Sequence, residues 1–174
     1  VQGPCVRFSI PIGIGRDESK RESPDPKIED GGIPGRREVD AMALRMAIVG
    51  TGGIARAHAR AAASVEGVDL VAVCDVSVEA AQRFAAEHQV DKYYSDVDSL
   101  LQAQEIDIAS VCTWGPSHAE ISNQLARSGR VRAVLCEKPI SQNAAECADM
   151  IAVAEESGVL LAEAFKFRHH PLHL

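Results

Sequence analysis

The feature that most constrains this chain is an alternation of two hydrophobic periods that begins at Leu44 and continues to the C-terminal end. Short apolar, β-branched runs at 44–49, 69–74, 107–113, 131–136 and 159–164, with a weaker one at Lys92–Tyr94, read as strands. Between them, stretches rich in Ala, Glu, Gln and Arg at 53–65, 77–88, 96–103, 118–128 and 142–157 carry a helical period. Ser117 and Glu120 predict a capping box at the head of one helix, and Gly129 and Gly158 stand where two helices should stop. Strands separated by single helices cannot pair as hairpins. They must lie parallel through right-handed crossovers, with helices on both faces. The expected fold class is therefore α/β, a doubly wound parallel sheet of the Rossmann kind with strand order 3-2-1-4-5-6.

The pattern does not extend to the N-terminal segment. Residues 1–40 hold 11 of the 21 Gly and Pro residues and 15 charges of mixed sign. Such a composition buries too little apolar area to offset its ordering entropy. Residues 1–41 are accordingly expected to be a disordered or non-native extension, 42–165 a dinucleotide-binding domain, and 166–174 the start of a crossover to a substrate domain that is absent. The longest stretch free of formal charge, Ile108–Ala119, spans 12 residues and contains Gly115 and Pro116. That is well short of the ~20 residues of a spanning helix. A net charge of −7 disfavours phosphate backbones and anionic lipid, so no nucleic-acid or membrane partner is expected. Five cysteines, odd in number and without CxxC or Cys/His ligand spacing, predict no metal site. Cys74, Cys112 and Cys136 close apolar runs as small hydrophobes, which suits a reducing, cytoplasmic setting.

The first strand runs into Gly50-Thr51-Gly52-Gly53-Ile54-Ala55, a G-x-G-x-x-A pattern opening a helix. Gly50 permits the tight turn, Gly52 lets backbone approach a pyrophosphate, and Ala55 lets helix and strand pack closely. The helix N-terminus then offers unpaired N–H groups to phosphate. Asp75, at the end of the second strand, can accept hydrogen bonds from both ribose hydroxyls and would repel a 2′-phosphate, which favours NAD and makes NADP the lesser expectation. A glycine-rich turn without a ligand, a helix-capping role for Asp75, and a methyltransferase-type nucleotide site are the competing readings. The last usually places an acid before the glycines, where this chain has Val49.

Two further strand ends face the same edge. The fourth closes in Cys112-Thr113-Trp114-Gly115-Pro116-Ser117-His118, where Trp114 either packs on a cofactor or covers a helix end. His118 reads as a capping or packing residue before it reads as a catalytic one. The fifth strand closes in Glu137-Lys138-Pro139, which in isolation is more often a solvated loop than a site.

Taken together, these motifs and Ala162-Glu-Ala-Phe-Lys-Phe-Arg-His-His-Pro171 make residues 44–174 resemble the glucose–fructose oxidoreductase/inositol dehydrogenase/MocA (Gfo/Idh/MocA) family. Glu137-Lys138-Pro139 is the most specific mark. The resemblance implies a nicotinamide-dependent dehydrogenase whose nucleotide-binding domain precedes an α+β substrate domain, forming a homo-oligomer when complete. It implies a sugar, cyclitol or related polyhydroxylated substrate, and the C-terminal stretch is similar to that of sugar and dihydrodiol dehydrogenases. Lys138 is the implied catalytic group, beside the nicotinamide and bonded to the reacting oxygen. Gly50, Thr51, Gly52, Gly53, Ile54, Asp75, Thr113, Trp114, His118 and Glu137 are the implied cofactor contacts, with Glu137 on a cofactor sugar. Where the family has Thr-Pro-Asn, this chain has Thr113-Trp114-Gly115-Pro116. The readings from another class are a noncatalytic NAD-binding sensor or assembly module, and an inactive truncated chain.

Overall fold

The computed structural model describes residues 43–173. The extension anticipated over 1–41 lies outside the described residues. In chain order the elements are β1 (Leu44–Val49), α1 (Ala55–Ser64), β2 (Val68–Cys74), α2 (Val78–His88), β3 (Lys92–Tyr94), α3 (Val97–Ala103), β4 (Ile108–Val111), α4 (His118–Arg127), β5 (Ala133–Cys136), α5 (Ala144–Ser157) and β6 (Leu160–Glu163). The six strands form one parallel sheet ordered β3-β2-β1-β4-β5-β6, as the alternation predicts. The order reverses between β1 and β4, so the carboxyl ends of these two strands flank the crevice where such sheets take ligands.

Strands β1, β2 and β4 share their side chains between two cores. Ala47 and Val49 of β1 join Leu100, Leu125, Met150 and Val153, the inward residues of α3, α4 and α5. Met46 and Ile48 of the same strand join Ala55, Ala59 and Ala62 of α1 and Phe84 of α2. The alanine stripe of α1 lets that helix lie close on the sheet, and burying a large side chain such as Phe84 contributes about 2–3 kcal/mol. Among the described residues the second face is covered only on its β1–β3 side, by α1 and α2. Ile108, Leu135 and Phe165 line a groove beside α1, with His58, Glu137, Glu163 and Lys166 also on its wall.

Helix starts follow local chemistry, with one departure from expectation. Ser77 accepts from the Ala80 N–H at 3.2 Å, Asp96 from the Ser99 N–H at 2.7 Å, and Asn143 from the Glu146 N–H at 2.9 Å. At Ser117 no capping box forms. Gly115-Pro116-Ser117 wind into a 3₁₀ turn that leads directly into α4, so Ser117 is already helical at φ −94°, ψ −2°. A capping side chain needs an extended backbone. The Ser117 hydroxyl instead donates back to the Trp114 carbonyl at 2.8 Å, with Thr113 Oγ1 2.9 Å away. At α5 a related arrangement forms, in which Glu146 accepts the N–H of Gln142, the residue before the cap, at 3.0 Å. Gly158 ends α5 at φ +66°, and Gly129 follows α4 at φ +65°.

Candidate cofactor site

The turn after β1 uses its glycines for two different purposes. Gly50 has φ +89° and donates its N–H to the Cys74 carbonyl at 2.7 Å. A Cβ at this position would lie 2.7 Å from the Cys112 carbonyl carbon and from Thr113 N, inside the backbone at the end of β4. The fold itself requires this glycine. Gly52 is the opposite case: a Cβ there would meet nothing within 4 Å. Its surroundings are the cleft, a space of about 580 Å³ that it lines with Asp75, Thr113 and Trp114. Gly53 is equally open, whereas Ile54 turns away and packs on the α1–α2 side of the sheet. α1 starts at Ala55 with no side-chain cap from Ile54; the Ala55 and Ala57 N–H groups turn back to the Gly52 and Ile54 carbonyls at 3.2 and 2.9 Å. Ala55 is fully buried, which permits the close helix–strand approach.

Asp75 is tied to this turn. Its Oδ2 accepts from the Thr51 N–H and the Thr51 hydroxyl, both at 2.8 Å, and its Oδ1 accepts from the Ser77 N–H at 3.0 Å. Partial burial alone would raise the carboxyl's pKa; the Ser77 and Thr51 donors outweigh it and hold the group below its ordinary value. Asp75 does not cap α2, a task that falls to Ser77. The two Thr51 donors take both lone pairs of Oδ2, so Oδ1, with one donor, keeps a lone pair for a ligand. The other charged residues lining the cleft, Asp96, Asp98 and Glu120, are acidic too.

On the β4 side, Thr113 and Trp114 line the same cleft. Trp114 is 81% exposed, so it covers no helix end. His118 is placed differently from the cofactor contact expected of it. It is 1% exposed, with Nδ1 2.8 Å from the Pro139 carbonyl and Nε2 3.1 Å from the Thr113 carbonyl. It thus sits under the crevice and ties the loop after β4 to the turn after β5. The reason is helical phase: as the first residue of α4, it points at the sheet with Ser122 and Leu125, not at the ligand edge.

The turn after β5 is built from buried polar side chains. Glu137 is 7% exposed; its Oε1 lies 2.9 Å from His58 Nε2, and its Oε2 accepts the Lys138 N–H at 3.1 Å. His58 Nδ1 in turn lies 2.7 Å from the hydroxyl of Ser110, which is fully buried. Lys138 is exposed at the rim, and its peptide bond to Pro139 is cis. His58 and Ser110 were not legible as site residues in the sequence. A histidine in an alanine-rich helix passes for a surface residue, although His58 stands one position before buried Ala59 and three after Ala55.

Three cysteines lie in the core around the crevice. Burial pushes the thiols of Cys74 and Cys112 up to about 12 and that of Cys136 to about 11, so they remain protonated at neutral pH. Among the described residues no cluster of three or more His, Cys, Asp or Glu side chains is arranged to hold a metal ion, and no helix is long and apolar enough to cross a membrane.

Residues 44–165 match the Gfo/Idh/MocA model, described as an oxidoreductase family with an NAD-binding Rossmann fold. An inositol 2-dehydrogenase from Pseudomonas savastanoi is 33% identical over 124 residues, 70% of this chain and 36% of that protein. A D-apiose dehydrogenase from Paraburkholderia graminis is 30% identical over 125 residues, 72% of this chain and 33% of that protein. Among solved structures, the WlbA dehydrogenase from Bordetella pertussis in complex with NADH and UDP-GlcNAcA superposes with a TM-score of 0.71 at 26% identity, covering 75% of this chain and 39% of that one. The chain thus spans between a third and two fifths of the length of these relatives.

Proposed function

The chain belongs to the Gfo/Idh/MocA oxidoreductase family, and from that premise we propose that it holds NAD for hydride exchange with a sugar, cyclitol or related polyhydroxylated compound. The observation that carries this reading is the open position at Gly52 beside the deprotonated Asp75. The fold leaves room there that it does not itself fill, at an uncapped helix start and next to a fixed acceptor. The parts suit a dinucleotide: Gly52 and Gly53 for the pyrophosphate, Asp75 for the adenosine ribose, Thr113 and Trp114 along the opposite wall. Among the described residues no Lys or Arg lines the cleft, so a 2′-phosphate would meet like charge there, which favours NAD over NADP.

Bound NAD supplies a hydride acceptor. Glu137 contacts a sugar of the cofactor, and Lys138 donates a hydrogen bond to the substrate oxygen, favouring the charge that develops on it during oxidation. Lys138 also separates this reading from a noncatalytic NAD sensor, which has no use for a proton-handling lysine at that rim. The 174 residues, which span between a third and two fifths of these relatives' length, bind cofactor without turnover on this reading. The test is titration with NAD and NADP, followed by assay of NADH formation from inositol and common aldoses. Tighter binding of NAD without NADH formation is the expected result. A preference for NADP, or robust turnover by these 174 residues, would overturn it.

A further inference from the structure

The row Ser110–His58–Glu137 is not explained by packing alone. His58 and Glu137 line a groove beside Met46, Ile54, Ile108 and Leu135, with Glu163 and Lys166 also on its wall, and next to those four residues apolar side chains would avoid the cost of desolvating a hydroxyl, an imidazole and a carboxylate. Hydrogen-bond roles along the row are consistent. With a ring proton on Nε2, that N–H donates to Glu137 Oε1 and Nδ1 accepts the Ser110 hydroxyl. With Oε2 taking the Lys138 N–H, each oxygen of the carboxylate is fixed by one donor and keeps a lone pair for another.

The placement of His58 gives this row a direction. It is the fourth residue of α1, the helix whose first turn follows Gly52 and Gly53. A rigid helix therefore connects the pyrophosphate end of the cleft to the carboxylate beside Lys138. We propose that His58 is a positioning residue: it fixes Glu137 at the nicotinamide-side ribose, in register with the glycine turn, and so sets the second half of the dinucleotide. This proposal rests on the NAD reading above. It does not make His58 a catalytic residue, since the ring acts through Glu137.

The two halves of the dinucleotide can be probed separately. The wild-type chain and the variants His58→Ala, His58→Gln and Ser110→Ala are titrated calorimetrically with NAD, ADP-ribose and ADP, and their melting temperatures are recorded. ADP-ribose retains the second ribose and ADP lacks it. For His58→Ala, affinity for NAD and ADP-ribose falls about tenfold while that for ADP stays within about twofold, the scale of one charged hydrogen bond. His58→Gln, whose amide can still donate to Glu137, recovers part of the loss, and Ser110→Ala shows a smaller loss with the same ligand pattern. If His58→Ala does not fold, the same selectivity in His58→Gln and Ser110→Ala supports the proposal. An equal loss for all three ligands, or no loss, overturns it while leaving the NAD reading intact. A wild-type chain that binds none of the three overturns both.

Discussion

The crevice has two corners that do related work with different materials. The corner after β1 is made of backbone: a left-handed glycine pressed against β4, an open glycine facing the cleft, and a carboxylate held by a peptide N–H. The corner after β5 is made of side chains, with Glu137 tied to His58 below it and the Pro139 carbonyl tied to His118. Backbone can approach a phosphate without discriminating among nucleotides, whereas a fixed carboxylate and lysine can aim at particular atoms. On the proposed reading, attachment belongs to the first corner and aim to the second.

The largest effect that could break this division lies within the first corner. Gly50→Ala combines a left-handed φ with a Cβ 2.7 Å from backbone atoms of Cys112 and Thr113, so it should cost about 3 kcal/mol of folding stability by denaturant titration. An unchanged midpoint would mean the turn is not pressed on β4 as described. Next in size is Asp75→Ser, which should weaken NAD binding about tenfold and narrow its preference over NADP, the scale of one ribose contact plus relieved repulsion. Equal losses for both cofactors would move the ribose elsewhere.

Acid stability gives a smaller effect. Asp75 and Asp107 both titrate below their ordinary range, Asp107 through the side chain and N–H of Arg45 and Asp75 through uncharged donors that outweigh its burial. A depressed folded pKa contributes stability above the unfolded value, near 4, which is lost as pH falls through the folded value. Melting temperature should therefore drop below about pH 4, less steeply in Asp107→Asn. At about 1 M salt the Asp107 share should shrink, because it depends on an ion pair, while the Asp75 share persists. The smallest effect concerns thiols. Cys147, which is only partly buried, should label ahead of Cys74, Cys112 and Cys136. Added NAD should slow Cys74 and Cys112, which line the cleft, and leave Cys136 unchanged. Protection of Cys136 instead would shift the ligand toward the second corner.

The two corners also differed in how far they could be read from sequence. The sheet order and the first corner were legible because they depend on local signals: β-branched runs, a glycine turn between strand and helix, an acid at the next strand end. The capping box at Ser117 failed because Pro116 draws the preceding residues into a 3₁₀ turn, so that Ser117 enters the helix already wound. His118 was expected at the cofactor because its motif sits at the ligand edge, but helical phase turns it inward. His58 escaped notice because its partners Ser110 and Glu137 are 52 and 79 residues away, and no local pattern records a contact of that range. The half-covered sheet face was likewise hidden, since alternation marks a strand as two-sided without saying how far each helix reaches.

The most direct test of attachment at the first corner is Gly52→Val, because a side chain there enters space that the folded chain leaves open. Calorimetric titration with NAD, beside a thermal melt of the same variant, separates fold from ligand. The account predicts a melting temperature within about 2 °C of wild type and NAD affinity reduced at least about tenfold, since the valine stands where the pyrophosphate must approach. A variant that melts like wild type and binds NAD equally well would contradict the assignment of the turn to the cofactor.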